Sequence, residues 1–435
     1  MKKAGLFGQT SLLALVSAVS LVAAGPAHAG GFYLQEQSVR ALGRAFSGEA
    51  ADTGPESLWW NPAAIAGASR GSAHFGASAI LPRGDVRNTG TLIVRPGQAP
   101  AGVGGQQTSE NPIDKGILPA GGVAAPITDK LAVGLAVTSP YSFTTDYDAT
   151  SWTRYTADKS KLRTIDLQPT VAFAPTPWLG LGFGLNVEYS DAALSNALPN
   201  LSPLLPDGHQ QLKGDGWDIG WSAGLQLRGE RAVLGLSYKS SIEHELNGRV
   251  VTTGLLGPLA ASNTTVRATA TFRTPWQAMA GVRFRATDRL TLNGQVVRIG
   301  WSKFDAIRLG APLDTEIPEN YRSTWSYAAG VDYALTPALT LRAGVQRDQT
   351  PTRDGERDAR VPDSDRWTFA VGGSYAVSPR FTIDAGASYV DFANASIDRQ
   401  TAAYAGTAVQ TPILVSGVVE GARAIVLGVG GRMSF

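Results

Sequence analysis

From about Gly71 onward the chain alternates apolar with polar or small residues in segments of roughly ten. In "GLGFGLNVEYS" (Gly180 to Ser190), Leu181, Phe183, Leu185, Val187 and Tyr189 share one side. Gly180, Gly182, Gly184, Asn186, Glu188 and Ser190 share the other. Successive side chains of a strand point to opposite faces, so this segment reads as a strand with one greasy and one polar face. "GWDIGWSAGLQLR" sets Trp217, Ile219, Trp221, Ala223, Leu225 and Leu227 against Asp218, Ser222, Gln226 and Arg228. "LTLRAGVQ" and "FTIDAGASYVD" repeat the pattern. A soluble sandwich would turn its greasy face inward. Here the polar face carries Asp, Glu and Arg at mid-strand, and Trp and Tyr gather near segment ends on the greasy face. Both features fit a barrel with lipid outside and a polar lumen. The fold class is therefore all-β, a transmembrane antiparallel β-barrel over residues 71–435.

Short polar connections fall at Thr128-Asp129-Lys130, Pro175-Thr176-Pro177, Gly229-Glu230-Arg231, Thr287-Asp288, Thr336-Pro337-Ala338 and Ser378-Pro379-Arg380. Each joins two alternating segments, giving six hairpins. One strand precedes them (Ser72 to Leu81) and one follows (Arg423 to Phe435), which makes about 14, an even number as bacterial barrels require. Short turns then face the periplasm and long loops the outside. The second strand, Gly116 to Ile127, is the weakest because two prolines interrupt it.

The first 29 residues read as a secretory leader: Lys2 and Lys3, an apolar run from Ser11 to Gly25, and the small-x-small site Ala27 to Ala29. No later run is long enough for a membrane helix. The chain has no cysteine, which excludes disulfide scaffolds and thiol chemistry. It carries 38 basic and 36 acidic residues, balanced once Lys2 and Lys3 leave, so a nucleic-acid partner is not expected. No cofactor or metal motif is visible. Catalysis would need a histidine beside a nucleophile or carboxylate, and the mature chain offers only His74, His209 and His244. The acids flanking His244, Glu243 and Glu245, fall on the opposite strand face. An enzyme is not expected. A terminal aromatic, Phe435, resembles the signal that the barrel-assembly machinery reads.

Residues 30–70 carry no alternation. "SVRALGRAFSGEAADTG" is compatible with short helix, and "WWNPAAIAG" is apolar. The segment is too aromatic for a disordered tail and too short for a separate domain. It is expected to fold back into the barrel as a plug, with Trp59 and Trp60 packed, Pro62 fixing a bend and the Asn61 side chain bonding local backbone. "GGFYLQEQSVRALGRAFSGEAA" followed by "ESLWWNPAAIAG" resembles the mature N-terminus of the FadL/TodX family of outer-membrane transporters. The resemblance implies a hatch whose Asn-Pro-Ala motif is Asn61, Pro62 and Ala63. A second block, "QRDQTPTRDGERDARVPDSDRW", matches the family through Asp348, Pro351, Pro362, Asp363, Ser364, Asp365 and Arg366. The family has fourteen strands, in agreement with the count from turns.

That resemblance implies passive uptake of long-chain fatty acids across the Gram-negative outer membrane. Uptake of aromatic or alkane hydrocarbons by the same route is the alternative, and a general porin is a weaker one. The expected partners are a hydrophobic small molecule, outer-membrane lipid or lipopolysaccharide, and the assembly machinery. Outer loops are normally polar, yet the third and fourth carry Leu194, Leu198, Leu201, Leu204, Leu205, Leu255, Leu256 and Leu259. An exposed hydrophobic groove is expected there, in line with the family. Arg228, Arg273, Arg283, Arg342 and Arg366 are candidates for holding a carboxylate, unless they pair with lumen acids such as Asp218 or Asp384. The family's third strand is kinked and opens the wall sideways; Gly134, Ser139 and Pro140 mark the matching stretch here.

Overall fold

The computed structural model describes residues 31–435, so the expected leader lies outside the described residues. Fourteen strands form the barrel. They are β1 (Ser72–Asn88), β2 (Gly116–Pro126), β3 (Leu131–Thr138, resuming at Ser142–Asp146), β4 (Lys159–Thr176), β5 (Leu179–Leu198) and β6 (Gly208–Arg228). Next come β7 (Ala232–Lys239, then Glu243–Thr253), β8 (Thr264–Arg273, then Trp276–Arg285), β9 (Leu290–Gly300) and β10 (Thr324–Ala334). β11 (Leu339–Asp348), β12 (Arg366–Ser378), β13 (Phe381–Phe392) and β14 (Gly417–Ser434) complete it. All neighbours are antiparallel, and β1 pairs with β14 from Ser72↔Ser434 to Asn88↔Gly417. Closure leaves no free sheet edge, which a lipid-embedded backbone cannot tolerate. All six short turns join the strand pairs expected of them.

The alternation sorts as lipid against lumen. Phe183, Trp221, Val282, Leu341, Phe369 and Leu427 are exposed on the outside, while Asn186, Ser222, Gln226, Gln277 and Gln346 are buried within. On the lipid face, rings of neighbouring strands touch: Tyr189–Trp217 at 5.2 Å, Trp221–Tyr238 at 5.3 Å and Tyr238–Trp276 at 6.1 Å. This is the aromatic girdle of a membrane boundary.

Two breaks reverse the faces. β7 points Lys239 inward below Ser240-Ser241 and His244 inward above them. β8 points Phe272 inward before Pro275 and Gln277 inward after it. Each break inserts enough chain to change parity, so a single alternation cannot be read through it. Arg273, expected in the lumen, therefore lies outside, half-exposed and paired with Glu243 at 2.5 Å.

Candidate functional site

Residues 31–70 fill the lumen. Short turns suit a segment that must fold within a narrow cylinder: a helix α1 (Val39–Leu42) capped by Ser38, then 3-10 turns at Glu49–Ala51, Pro55–Ser57 and Pro62–Ile65. Asn61 caps the last turn. Its Oδ1 accepts from Ala63 N at 2.9 Å, and Pro62 occupies the first position, where a missing N–H costs nothing. The Asn61 Nδ2 donates outward to Ala50 O at 2.6 Å and Leu225 O at 3.2 Å, tying two parts of the plug to β6. Trp59 stands edge-on to Trp60 at 5.2 Å and stacks on Tyr33 at 5.7 Å. The wall makes room with glycine: a Cβ on Gly224 would lie 1.8 Å from Asn61 Oδ1, and one on Gly182 2.2 Å from the Pro62 carbonyl carbon.

The plug's charges all bind toward one side. Arg44 reaches Glu49, Asp52 and, at 3.2 Å, Asp332 of β10. Arg283 of β8 holds Asp52 at 3.2 Å and Asp332 at 2.9 Å, and Arg342 of β11 holds Asp332 at 2.8 Å. Arg40 pairs with Glu56 at 2.6 Å, and Arg432 of β14 bridges Glu56 at 3.5 Å and Asp384 at 2.7 Å. Toward β3–β7 the contacts are hydrogen bonds and packing. Gln168 donates to Leu58 O at 2.9 Å, Arg228 to Ala66 O at 2.7 Å, and Lys239 sits 4.4 Å over the Trp59 ring.

Most of the candidate carboxylate arginines thus pair with acids inside the barrel, as the alternative reading expected, though Asp218 and Asp384 are not the acids used. Arg228, Arg283 and Arg342 hold the plug or its acids, and Arg366 pairs with Asp348 at 2.9 Å. Asp384 is taken by Arg432 and Asp218 by His244 Nδ1 at 3.2 Å. His244 is fully buried among Glu188, Ser190, Asp218 and Thr274, contributed by other strands.

The second family-matching block closes the loop between β11 and β12. Asp348 and Arg366 are cross-strand partners, Asp365 accepts from Thr350 N at 2.8 Å and pairs with Arg347 at 2.7 Å, and Pro351 O accepts from Arg322 N at 2.9 Å. Asp363 accepts from Thr350 Oγ1 at 2.6 Å and from Gly31 N at 2.9 Å, so the loop holds the start of the plug. Pro362 and Ser364 are buried beside it.

At Ser139-Pro140 β3 leaves the wall. Its last pair with β2 is Val137↔Gly121, and contact with the preceding chain resumes only at Ile113↔Thr145. Between these points Gly116–Ala120 pair with β1 alone, and the displaced backbone turns inward to the plug. Ser139 N donates to Gln37 Oε1 at 3.0 Å, Leu34 N to Pro140 O at 2.8 Å and Ser142 N to Phe32 O at 3.1 Å. Pro140, lacking an N–H, suits the unpaired position. Below it, Gly134 lets Leu58 and Ile65 approach: a Cβ there would be 3.0 Å and 2.9 Å from their Cδ1 atoms.

Above the plug lies an apolar pocket that opens outward. Phe32, Phe143, Leu162, Leu194, Leu212, Leu246, Phe272, Phe304 and Val361 line it, and Glu319 and Arg360 stand among them. Arg360 pairs with Asp358 at 3.1 Å through Nη1, while its buried Nε has no partner. Burial pushes the Glu319 carboxyl up to about 8, with Asp358 adding to the shift and Arg399 and Arg360 opposing it. No local pattern in the sequence marks this pocket.

The eight loop leucines divide. Asp191–Leu198 continues as β5 beyond the girdle, placing Leu194 in the pocket wall. Leu198, Leu255 and Leu259 are buried together with Leu201, Tyr404 and Val409 packed on them. Leu204, at 92% exposure, Leu205 and Leu256 alone face solvent. The expected open groove is largely a closed cap, because paired leucine side chains bury more apolar surface against each other than against water.

A closed barrel with a lipid-facing apolar band, girdled by aromatic residues and carrying a plugged polar lumen, is the architecture of an outer-membrane channel protein. The family described as outer membrane protein transport protein (OMPP1/FadL/TodX) matches residues 20–435, and the chain belongs to it. It is 28% identical over 407 residues to the long-chain fatty acid transport protein of Escherichia coli O6:H1, covering 84% of this chain and 87% of that one. It is 27% identical over 391 residues to outer membrane protein P1 of Haemophilus influenzae, covering 81% and 84%. A Pseudomonas aeruginosa FadL homologue of known structure shares the fold with a TM-score of 0.81 at 24% identity, over 93% of this chain and 100% of its own. The protein is an outer-membrane transport protein.

Proposed function

We propose that this protein takes up long-chain fatty acids by passive passage from the outer pocket, past the plug, to the gap between β2 and β3. The observation that carries this reading is the pocket. Its walls suit a hydrocarbon chain, and Arg360 and Glu319 among them suit a carboxylate: Arg360 supplies a cation, and Glu319, protonated below about pH 8, supplies a hydrogen-bond donor. Leu204, Leu205 and Leu256 provide the first apolar contact outside. Displacement of the Trp59–Ala63 segment, which rests on β6 and β7 through hydrogen bonds and the Lys239–Trp59 contact and not through ion pairs, opens the way from pocket to gap. Gly134, Ser139 and Pro140 frame the exit, so the acid leaves sideways into the membrane without energy input. The block from Asp348 to Arg366 holds the plug's first residues in place throughout.

A second reading, uptake of small aromatic or alkane hydrocarbons, is favoured by the ring content of the pocket: Phe32, Phe143, Phe272 and Phe304. A general porin fits less well, since its lumen would be open. The buried His244 cluster reads as a wall element, and the function as transport without catalysis. Biogenesis uses the barrel-assembly machinery, with Phe435 as the terminal signal.

The test is uptake of labelled oleate and labelled toluene, side by side, by cells lacking their own such transporter and expressing this barrel. Oleate uptake that exceeds toluene uptake, and that falls in Arg360→Ala, supports the fatty-acid reading. Toluene uptake alone moves the assignment to hydrocarbons. Neither, with the barrel folded in the outer membrane, refutes both.

A further inference from the structure

Beyond the girdle, the outward face of β6, β7 and β8 carries a row of cations. Lys213 is the cross-strand partner of Arg249, and Arg249 of Arg267. All three are exposed, while their sequence neighbours Val250 and Ala268 are buried, so the cations point away from the lumen. Like charges directly opposite on adjacent strands repel each other. Among the described residues none of the three forms an ion pair. The acids on this face are engaged or displaced: Asp191 takes Lys161 at 3.4 Å and Arg163 at 3.3 Å, Glu243 takes Arg273, and Asp215 faces Asn247 one row nearer the membrane. Glu245 lies a further row down, opposite Thr271. Strands thus bring three positive groups side by side at ~4.8 Å spacing with no neutralising partner from the chain.

Their height fixes what meets them. Trp217, packed on Tyr189 at 5.2 Å, is the outermost exposed ring on β6. Lys213 lies four residues farther out, ~13 Å along the strand at ~3.3 Å per residue. With a strand tilt of ~40° that is a rise of ~10 Å above the ring, level with polar headgroups and not with hydrocarbon. An anionic surface lipid attracts basic residues at this depth, and a phosphate accepts several charge-assisted hydrogen bonds at once.

We propose that Lys213, Arg249 and Arg267 form a binding site for the phosphorylated sugar headgroup of lipopolysaccharide in the outer leaflet. The inference rests on the outer-membrane placement of the chain and is independent of which substrate the channel carries. The row belongs to the same stretch of wall that lines the apolar pocket through Leu212, Lys213, Leu246 and Ala268. Bound lipopolysaccharide would therefore brace the pocket wall from outside.

The test uses the full barrel purified in detergent and measures binding of phosphorylated lipopolysaccharide by native mass spectrometry, at low and high salt. The variant is Lys213→Gln, Arg249→Gln, Arg267→Gln. The control, Arg231→Gln, Arg289→Gln, Arg380→Gln, removes the same charge from exposed positions at the opposite end. We expect at least a tenfold loss in the first triple variant, less than twofold in the control, and weak binding of dephosphorylated lipopolysaccharide to the unmodified protein. Equal losses in the two variants, unchanged binding in the first, or equal capture of phosphatidylglycerol or inorganic phosphate would each overturn the proposal. Heat-modifiable migration in gels establishes that every variant is folded, so a loss of binding is not a loss of barrel.

Discussion

The two sides of the plug are built from different chemistry. Toward β8–β14 it is held by buried ion pairs: Arg44, Arg283 and Arg342 share Asp332, and Arg432 reaches Glu56. Toward β3–β7 it is held by hydrogen bonds, packing and the Lys239–Trp59 contact, and the ladder between β2 and β3 is unpaired beside Ser139 and Pro140. Buried charges that lose a partner are left costly, whereas a neutral hydrogen bond exchanged for water loses little. The difference assigns the two sides different tasks. On the proposed uptake route, the ion-paired side would anchor the plug and the other would yield beside the unpaired stretch of β3.

The comparison is broken most severely at the anchor. Asp332→Ala leaves three buried cations short of a shared acid, a loss of about 3–5 kcal/mol by analogy with other buried pairs. We expect the variant barrel to conduct ions in planar bilayers where the unmodified protein does not. On the other side, Gly224→Leu places a side chain where Asn61 Oδ1 now lies, pushing the plug inward. Permeability to polar antibiotics should rise while the barrel's thermal midpoint changes little. Asn61→Ala removes one cap, worth about 0.5–2 kcal/mol, and the bonds to Ala50 O, Leu225 O and Leu236 O. Hydrogen exchange across 58–66 should speed up several-fold, with exchange around Arg44 unchanged.

The smallest effect concerns pH and sharpens the path above the plug. The Glu319 carboxyl titrates near 8, so it is neutral at pH 7 and negative at pH 9. A fatty-acid carboxylate beside it is then repelled, and oleate binding should weaken as pH rises through 8. Glu319→Gln should flatten that dependence; a wild-type profile that is already flat between pH 7 and 9 would remove Glu319 from the headgroup site.

The barrel was legible because lipid and lumen impose opposite demands on successive residues, and because polar turns punctuate them. The face reversals at Ser240-Ser241 and Thr274-Pro275 were not, since each is a local insertion that resets parity without changing composition. Asn61 and Pro62 announced a capped turn, but their contacts with Gly182 and Gly224 depend on closing the sheet first. The pocket was invisible for a related reason. Phe32, Phe143, Leu212, Phe272, Phe304, Glu319 and Arg360 come from seven separate stretches, and none has a local pattern that marks it. The loop leucines were conspicuous in sequence, yet whether a leucine faces water or another leucine is decided by the neighbouring loop, here with Tyr404 and Val409.

The most direct test exploits the absence of cysteine, which makes introduced pairs unambiguous. A Cβ on Gly180 would lie 3.0 Å from the Ala66 Cβ, and one on Gly281 3.1 Å from the Ala50 Cβ, both close enough for a disulfide after slight adjustment. Ala66→Cys with Gly180→Cys ties the plug on the side proposed to yield; Ala50→Cys with Gly281→Cys ties it on the ion-paired side. Oleate uptake should stop in the first oxidised variant, return on reduction, and persist in the second. Full uptake through the first tether, or a block by the second alone, would contradict the account.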